Sequence, residues 1–205
     1  MPYVSFLLFM VLLACVASMV QNGLWGNAIA LLNTICAALL ASSLWEPLAD
    51  KLDKWQPAYT YLWDFIAIWG IFAISLGVMR AVTDALSKVK VRFRKPIDKF
   101  GGIFFAVWTG WVMVCFTAMT LHTAPLARNF LFGSFQPTPE DRMLFGAAPD
   151  HTWLGFVQKM SLTSLGRSPV VPFDPRAEYI LKYGERRARY EKELLTLVNP
   201  ANAKK

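Results

Sequence analysis

Four apolar runs set the layout of the chain: residues 2–20, 24–45, 59–79 and 102–121. Together they hold a single ionisable acid, Asp64, and each approaches the roughly 20 residues a helix needs to cross about 30 Å of hydrocarbon. Only Gln21-Asn22-Gly23 separates the first two runs, which permits nothing but an antiparallel hairpin. After Trp45-Glu46-Pro47 the pattern changes. Leu48, Leu52 and Trp55 share one helical face, with Asp50, Lys51, Asp53 and Lys54 elsewhere, as in an amphipathic helix lying on a membrane surface. Pro47 is expected to end the second span and Pro57 to end the surface helix. Trp55, Tyr59, Tyr61 and Trp63 crowd the entrance of the third span like an interfacial aromatic belt.

From residue 126 the runs shorten, and proline and charge return. Thr138-Pro139-Glu140-Asp141 reads as a helix start, a capping residue followed by proline and acids, with Gly146 as its stop. A second helix is expected from Asp150 to Gly166, with Trp153, Phe156, Val157 and Met160 spaced i, i+3, i+4, i+7. That stripe suits either the membrane face or the bundle. A third is expected to open at Asp174-Pro175 and to run to about Val198, carrying mixed charges and Tyr179, Tyr183 and Tyr190. The pattern therefore predicts an all-α integral membrane protein. A four-helix transmembrane domain (1–125) with one surface amphipathic helix precedes an extramembrane helical tail (126–205).

Charge adds direction. The connection Arg80–Lys99 holds seven of the 21 Lys/Arg and two acids, while Glu46–Ala58 holds two lysines and three acids. The positive-inside rule places the former in the cytoplasm, so with four crossings both termini face away from it. Lys88, Lys90, Arg92, Arg94, Lys95 and Lys99 abut a span rather than forming a basic folded face. This favours anionic lipid headgroups over nucleic acid as their partner. The alternation Lys88-Val-Lys90-Val-Arg92-Phe93 suits a strip lying along those headgroups, or a topogenic anchor alone. The run 2–20 lacks a preceding Lys or Arg, so an uncleaved span is expected rather than a signal peptide.

Chemistry is sparse. Gly102, Ala106 and Gly110 recur every four residues as a ribbon without bulk, where another helix, the second or third, can approach closely. Asn33, near the middle of its span, reads either as lining a polar path or as an interhelical hydrogen bond. It is expected to share midplane depth with Trp69 and Trp111. Asp64 lies about 7 Å in from Tyr59 at ~1.5 Å per residue, either an ion- or proton-binding carboxylate or a side chain reaching back to water. His122 and His151 read as lone histidines near a water boundary, structural rather than functional. Cys15, Cys36 and Cys115 fall inside apolar runs as small hydrophobes. No phosphate loop, nucleophile elbow or metal spacing is present, so no enzyme, cofactor or metal is expected.

The entrance to the last span resembles the colicin V production protein (CvpA) family of bacterial inner-membrane proteins. That family reads Asp-Arg-x-x-Gly-x-x-x-Gly-x-x-Arg-Gly where this chain has Asp98-Lys99-Phe-Gly-Gly102, then Ala106 and Thr109-Gly110. Asp98, Gly102 and Gly110 match, Lys99 keeps the charge, Ala106 stays small, and Thr109 departs from an arginine. In the first hairpin Gly23 is kept, but Gln21 and Asn27 stand where the family has charge. The resemblance covers about residues 1–125. It implies a multi-pass protein of the bacterial inner membrane, a scaffold or accessory factor in colicin V-type toxin production or secretion, or in envelope upkeep. A small channel or transporter subunit is the alternative. Membrane-protein partners or a homo-oligomer fit either.

Overall fold

A computed structural model describes residues 2–87, 93–126, 135, 140, 142–163 and 172–198. The described residues form helices α1 (Pro2–Met19), α2 (Gly23–Trp55), α3 (Thr60–Leu86), α4 (Lys95–Thr123), α5 (Pro149–Ser161) and α6 (Tyr179–Val198). A 3₁₀ turn, Pro57–Tyr59, joins α2 to α3. No strand occurs among the described residues. Three stretches are long and apolar enough to cross a membrane: Gly23–Trp55, Pro57–Leu86 and Lys95–Thr123. The 18-residue α1 is as apolar but shorter, about 27 Å at 1.5 Å per residue.

α4 is the central post. It packs against α1 and α2 along much of its length and carries α5 and α6 on its C-terminal half. One apolar cluster joins α2, α3, α4 and the tail around Ala41, Trp45, Ile68, Phe72, Phe116, Trp153 and Tyr183. A second joins Val4 and Leu8 of α1 to Val114 and Ala118 of α4, with Phe135, Met143 and Leu144 from the tail. Phe116 is the ring at the centre, 4.7 Å from Phe72, 5.5 Å from Trp69 and 5.9 Å from Trp153.

One proline acts differently from the expectation. Pro47 does not end the second helix: α2 runs through it for 33 residues to Trp55. Proline removes one backbone donor, but Ala41, Trp45, Ala49 and Leu52 continue a single apolar stripe across it and are packed in the core. The expected surface helix is thus the last two turns of α2. Pro96 sits in the first turn of α4, where its missing N–H has no intrahelical partner to lose.

The tail helices start at other residues than their signals suggest. Asp174 takes φ +44° outside α6, yet its carboxylate accepts from the amides of Glu178 (2.8 Å) and Tyr179 (3.1 Å). It therefore caps a helix that begins five residues later. α5 begins at Pro149 and ends at Ser161, and Asp150 turns its carboxylate away from the helix end. Gly166, Thr138, Pro139 and Asp141 lie outside the described residues, as do Lys88, Lys90 and Arg92.

Between α4 and α5, Met143–Ala147 form a tight turn. Leu144 (φ 51°), Phe145 (φ 54°) and Gly146 (φ 94°) are all left-handed. Ala148 N–H donates to Met143 C=O and Ala147 N–H to Leu144 C=O, both at 3.1 Å. This nested pairing commonly closes a helix, here in the opposite hand. Each non-glycine residue held so costs about 1–2 kcal/mol.

Candidate functional site

Polar side chains gather at two places. The first is where the α1–α2 hairpin meets the start of α4. Gly102 lies against the backbone of Gly23, and a Cβ added there would meet the Gly23 carbonyl carbon at 3.0 Å. Gly110 lies against Leu12 and Cys15 of α1 in the same way, and Ala106 between them is fully buried. The small-residue ribbon thus faces α1 and α2. The expectation of the second helix holds for Gly102; the third is replaced by the first, because the hairpin wraps the face that α3 leaves free.

Close approach brings polar groups into reach. The amide of Leu24, in the first turn of α2, donates to Asp98 Oδ1 at 3.0 Å. No side chain of its own caps α2, so a carboxylate from another helix satisfies an orphan donor at the positive end of the helix dipole. Asn27, fully buried, donates through Nδ2 to the carbonyls of Gly102 (2.8 Å) and Met19 (2.9 Å). It ties three helices with one amide. Two family-pattern positions thereby acquire a cause: Asp98 holds the hairpin, and Gly102 lets the hairpin come close enough to be held.

The second place is the opposite end of the bundle, formed by the C-terminal parts of α2 and α4, the start of α3, and the tail. Trp153 of α5 donates to Ser42 of α2 at 3.1 Å. Asp150 is almost wholly buried and receives His122 Nε2 of α4 at 3.0 Å and His151 Nδ1 at 3.1 Å. Burial pushes the Asp150 carboxyl up, but the bonds and charge from the two imidazoles outweigh it, leaving it below its ordinary value. The histidines are therefore not isolated. Twenty-eight residues separate His122 from its carboxylate, so no local spacing announces the pair.

α6 lies across the same end. Tyr179 donates to Met119 Sδ at 3.0 Å, and Tyr183 packs 6.1 Å from Trp45. Burial holds both phenols above their ordinary range, so both are neutral donors. One turn on, Arg186 pairs with Asp64 and also donates to the Thr60 carbonyl, its guanidinium 5.6 Å from the Tyr61 ring centre. Asp64, the one acid within the apolar runs, thus receives a cation from the tail. Arg187 points the other way, 4.7 Å over Phe135, and burial lowers its guanidinium to about 10, still charged at neutral pH. Tyr61 donates to Glu193 at 2.8 Å.

Asn33 donates to Thr83 of α3 at 2.9 Å, an interhelical hydrogen bond. Trp69 donates instead to Thr120 at 3.2 Å, and Trp111 packs between the two apolar clusters. The expected Asn33–tryptophan cluster is not formed, because Thr83 and Thr120 supply nearer partners. Among the described residues no group of three or more His, Cys, Asp or Glu side chains is arranged to hold a metal ion. Arg186, Asp150 and Asn27 carry no sequence signal of their roles. Arg186 is one cation among many in a mixed-charge helix, and only the tyrosines one turn before it hint at a docked face.

Residues 4–135 match the family model described as colicin V production protein, an interval spanning α1 to α4 and reaching Phe135. α5 and α6, with Asp150 and Arg186, lie beyond it. No curated protein and no solved structure matched the chain. With 132 of its 205 residues inside that match (135 − 4 + 1), and with the glycines and Asp98 of the resemblance placed at its helix seam, the chain belongs to the colicin V production protein family.

Proposed function

We propose that this protein is a non-enzymatic scaffold or accessory factor of the bacterial inner membrane, serving colicin V-type toxin production or secretion, or envelope upkeep. In this reading α1 to α4 all cross, both termini face away from the cytoplasm, and the tail caps the bundle on that outer side. The inner side carries Lys88, Lys90, Arg92, Arg94, Lys95 and Lys99 against anionic headgroups. The observation that supports a scaffold is where the buried polar groups are spent. Asn33 and Asp64, the two intramembrane candidates for a transport path, each bind a side chain of another helix.

The test replaces the ion pair by apolar side chains, Asp64→Leu with Arg186→Leu. A scaffold keeps its phenotype at unchanged membrane level, because apolar isosteres can replace a buried pair without loss of fold. Loss of phenotype at unchanged level favours the channel or transporter subunit. Purification in mild detergent should bring down a membrane partner with the native chain. Orientation is tested by impermeant thiol labelling, which should reach a cysteine at Glu185 and miss one at Lys95.

A further inference from the structure

We propose that the turn Met143–Ala148 is a membrane anchor of the tail, with the Phe145 ring seated at the headgroup–acyl boundary of the leaflet on the tail side. Four observations converge on this. Phe145 is 87% exposed at the tip of the turn, while Met143 and Leu144 beside it are buried. An exposed phenylalanine alone needs no explanation, but this one is held outward by consecutive left-handed residues. Outliers of that kind persist only where the surroundings over-determine them.

The place matters more. Met143 and Leu144 share an apolar cluster with Val4, Leu8, Val114 and Ala118. These lie about 3–14 Å inside the ends of α1 and α4 at ~1.5 Å per residue. The turn therefore runs alongside the apolar part of the bundle rather than beyond it, at a level where its outward surroundings are lipid. The residues also suit that level: Met143 to Pro149 carry no charge and are bracketed by Arg142 and Asp150. Irregular backbone in lipid must satisfy its own polar groups. Here the amides of Ala147 and Ala148 are bonded within the turn, and Thr152 N–H takes the Ala148 carbonyl. Interfacial insertion by a shallow apolar tip has these features.

The full chain, with Cys15 and Cys36 replaced by alanine and buried Cys115 kept, is labelled with an environment-sensitive fluorophore at Phe145→Cys. It is reconstituted in vesicles of phosphatidylethanolamine and phosphatidylglycerol. Matched labels at Ile74→Cys (lipid-facing α3) and Glu185→Cys (tail) bracket the response. The Phe145 label should emit blue-shifted, be quenched severalfold more by lipid carrying a shallow nitroxide than the Glu185 label, and resist aqueous iodide. Iodide quenching equal to that at Glu185 overturns the anchor. Protection from both quenchers also overturns it, since the ring would then sit against protein. Should the cysteine background not reconstitute, Phe145→p-benzoylphenylalanine in the native chain separates the same outcomes: photoadducts to phospholipid support the anchor, and adducts to protein or none refute it.

Discussion

The two ends of the bundle hold together by opposite means. At the hairpin end α4 presents Gly102, Ala106 and Gly110, and neighbouring backbones come within van der Waals reach of one another. At the tail end large rings fill the space, and polar groups are matched across helices: Asp64 with Arg186, Asp150 with His122. The difference follows from what each end joins. The hairpin end joins apolar helices, where lipid competes equally for any hydrophobic surface, so small residues and close packing must supply the attraction. The tail is a polar, aqueous-type segment, and docking it leaves buried charge that only a specific partner can satisfy. One seam tolerates no added volume; the other tolerates no missing partner.

The largest effect should come from breaking the tail's ion pair on one side. Arg186→Ala strands Asp64, whose side chain is only 9% exposed. Removing one member of a buried pair costs about 3–5 kcal/mol, and the lower end applies because Arg186 itself is 23% exposed. Limited proteolysis should then cut α6 far faster than in the native chain. An undisturbed tail would mean that the rings alone hold it.

Next comes volume at the other seam. Gly110→Leu drives a side chain into Leu12 of α1, and overpacking of that kind costs about 1–3 kcal/mol. Val107→Leu, on the exposed face, should cost far less. The comparison is the temperature at which each detergent-solubilised variant loses its monodisperse peak; equal losses would deny the seam. A smaller loss, about 1 kcal/mol as for other helix-capping residues, is expected from Asp98→Ala. It should appear as faster hydrogen exchange at Leu24 while the tail amides are unchanged.

Acid should separate the ends last and least. The Asp150 carboxyl is held below its ordinary value when folded, so its stabilisation is complete above about pH 4, the unfolded range. It is lost only as pH falls through the lower folded value. Proteolysis of α5 by an acid-tolerant protease should accelerate below that range. Asp150→Asn should abolish the acid step.

How much of this is legible in the chain differs between the ends for the same reason. Gly102, Ala106 and Gly110 sit within nine residues, at a spacing fixed by the helix period, so their common face is visible in the chain itself. Asp98, one turn earlier, shares in that pattern, although its task of capping a different helix is hidden. Asp64 and Arg186 are 122 positions apart, and His122 and Asp150 are joined through residues with no periodic signal. Prolines mislead for a related reason: Pro47 carries a strong local preference, and the stripe from Ala41 to Leu52 overrides it through contacts the local sequence does not contain.

The sequence by itself determined the apolar runs, the helix class, the asymmetry of charge and the seam of small residues, because each depends on neighbours three, four or twenty residues apart. Only the tertiary structure decided which helices the seam meets, that the tail returns to the bundle, and that Asp64 and His122 find partners there. Those outcomes depend on desolvating particular charges against each other across long separations in the chain. The energy of that matching belongs to the pair, and neither residue carries it alone.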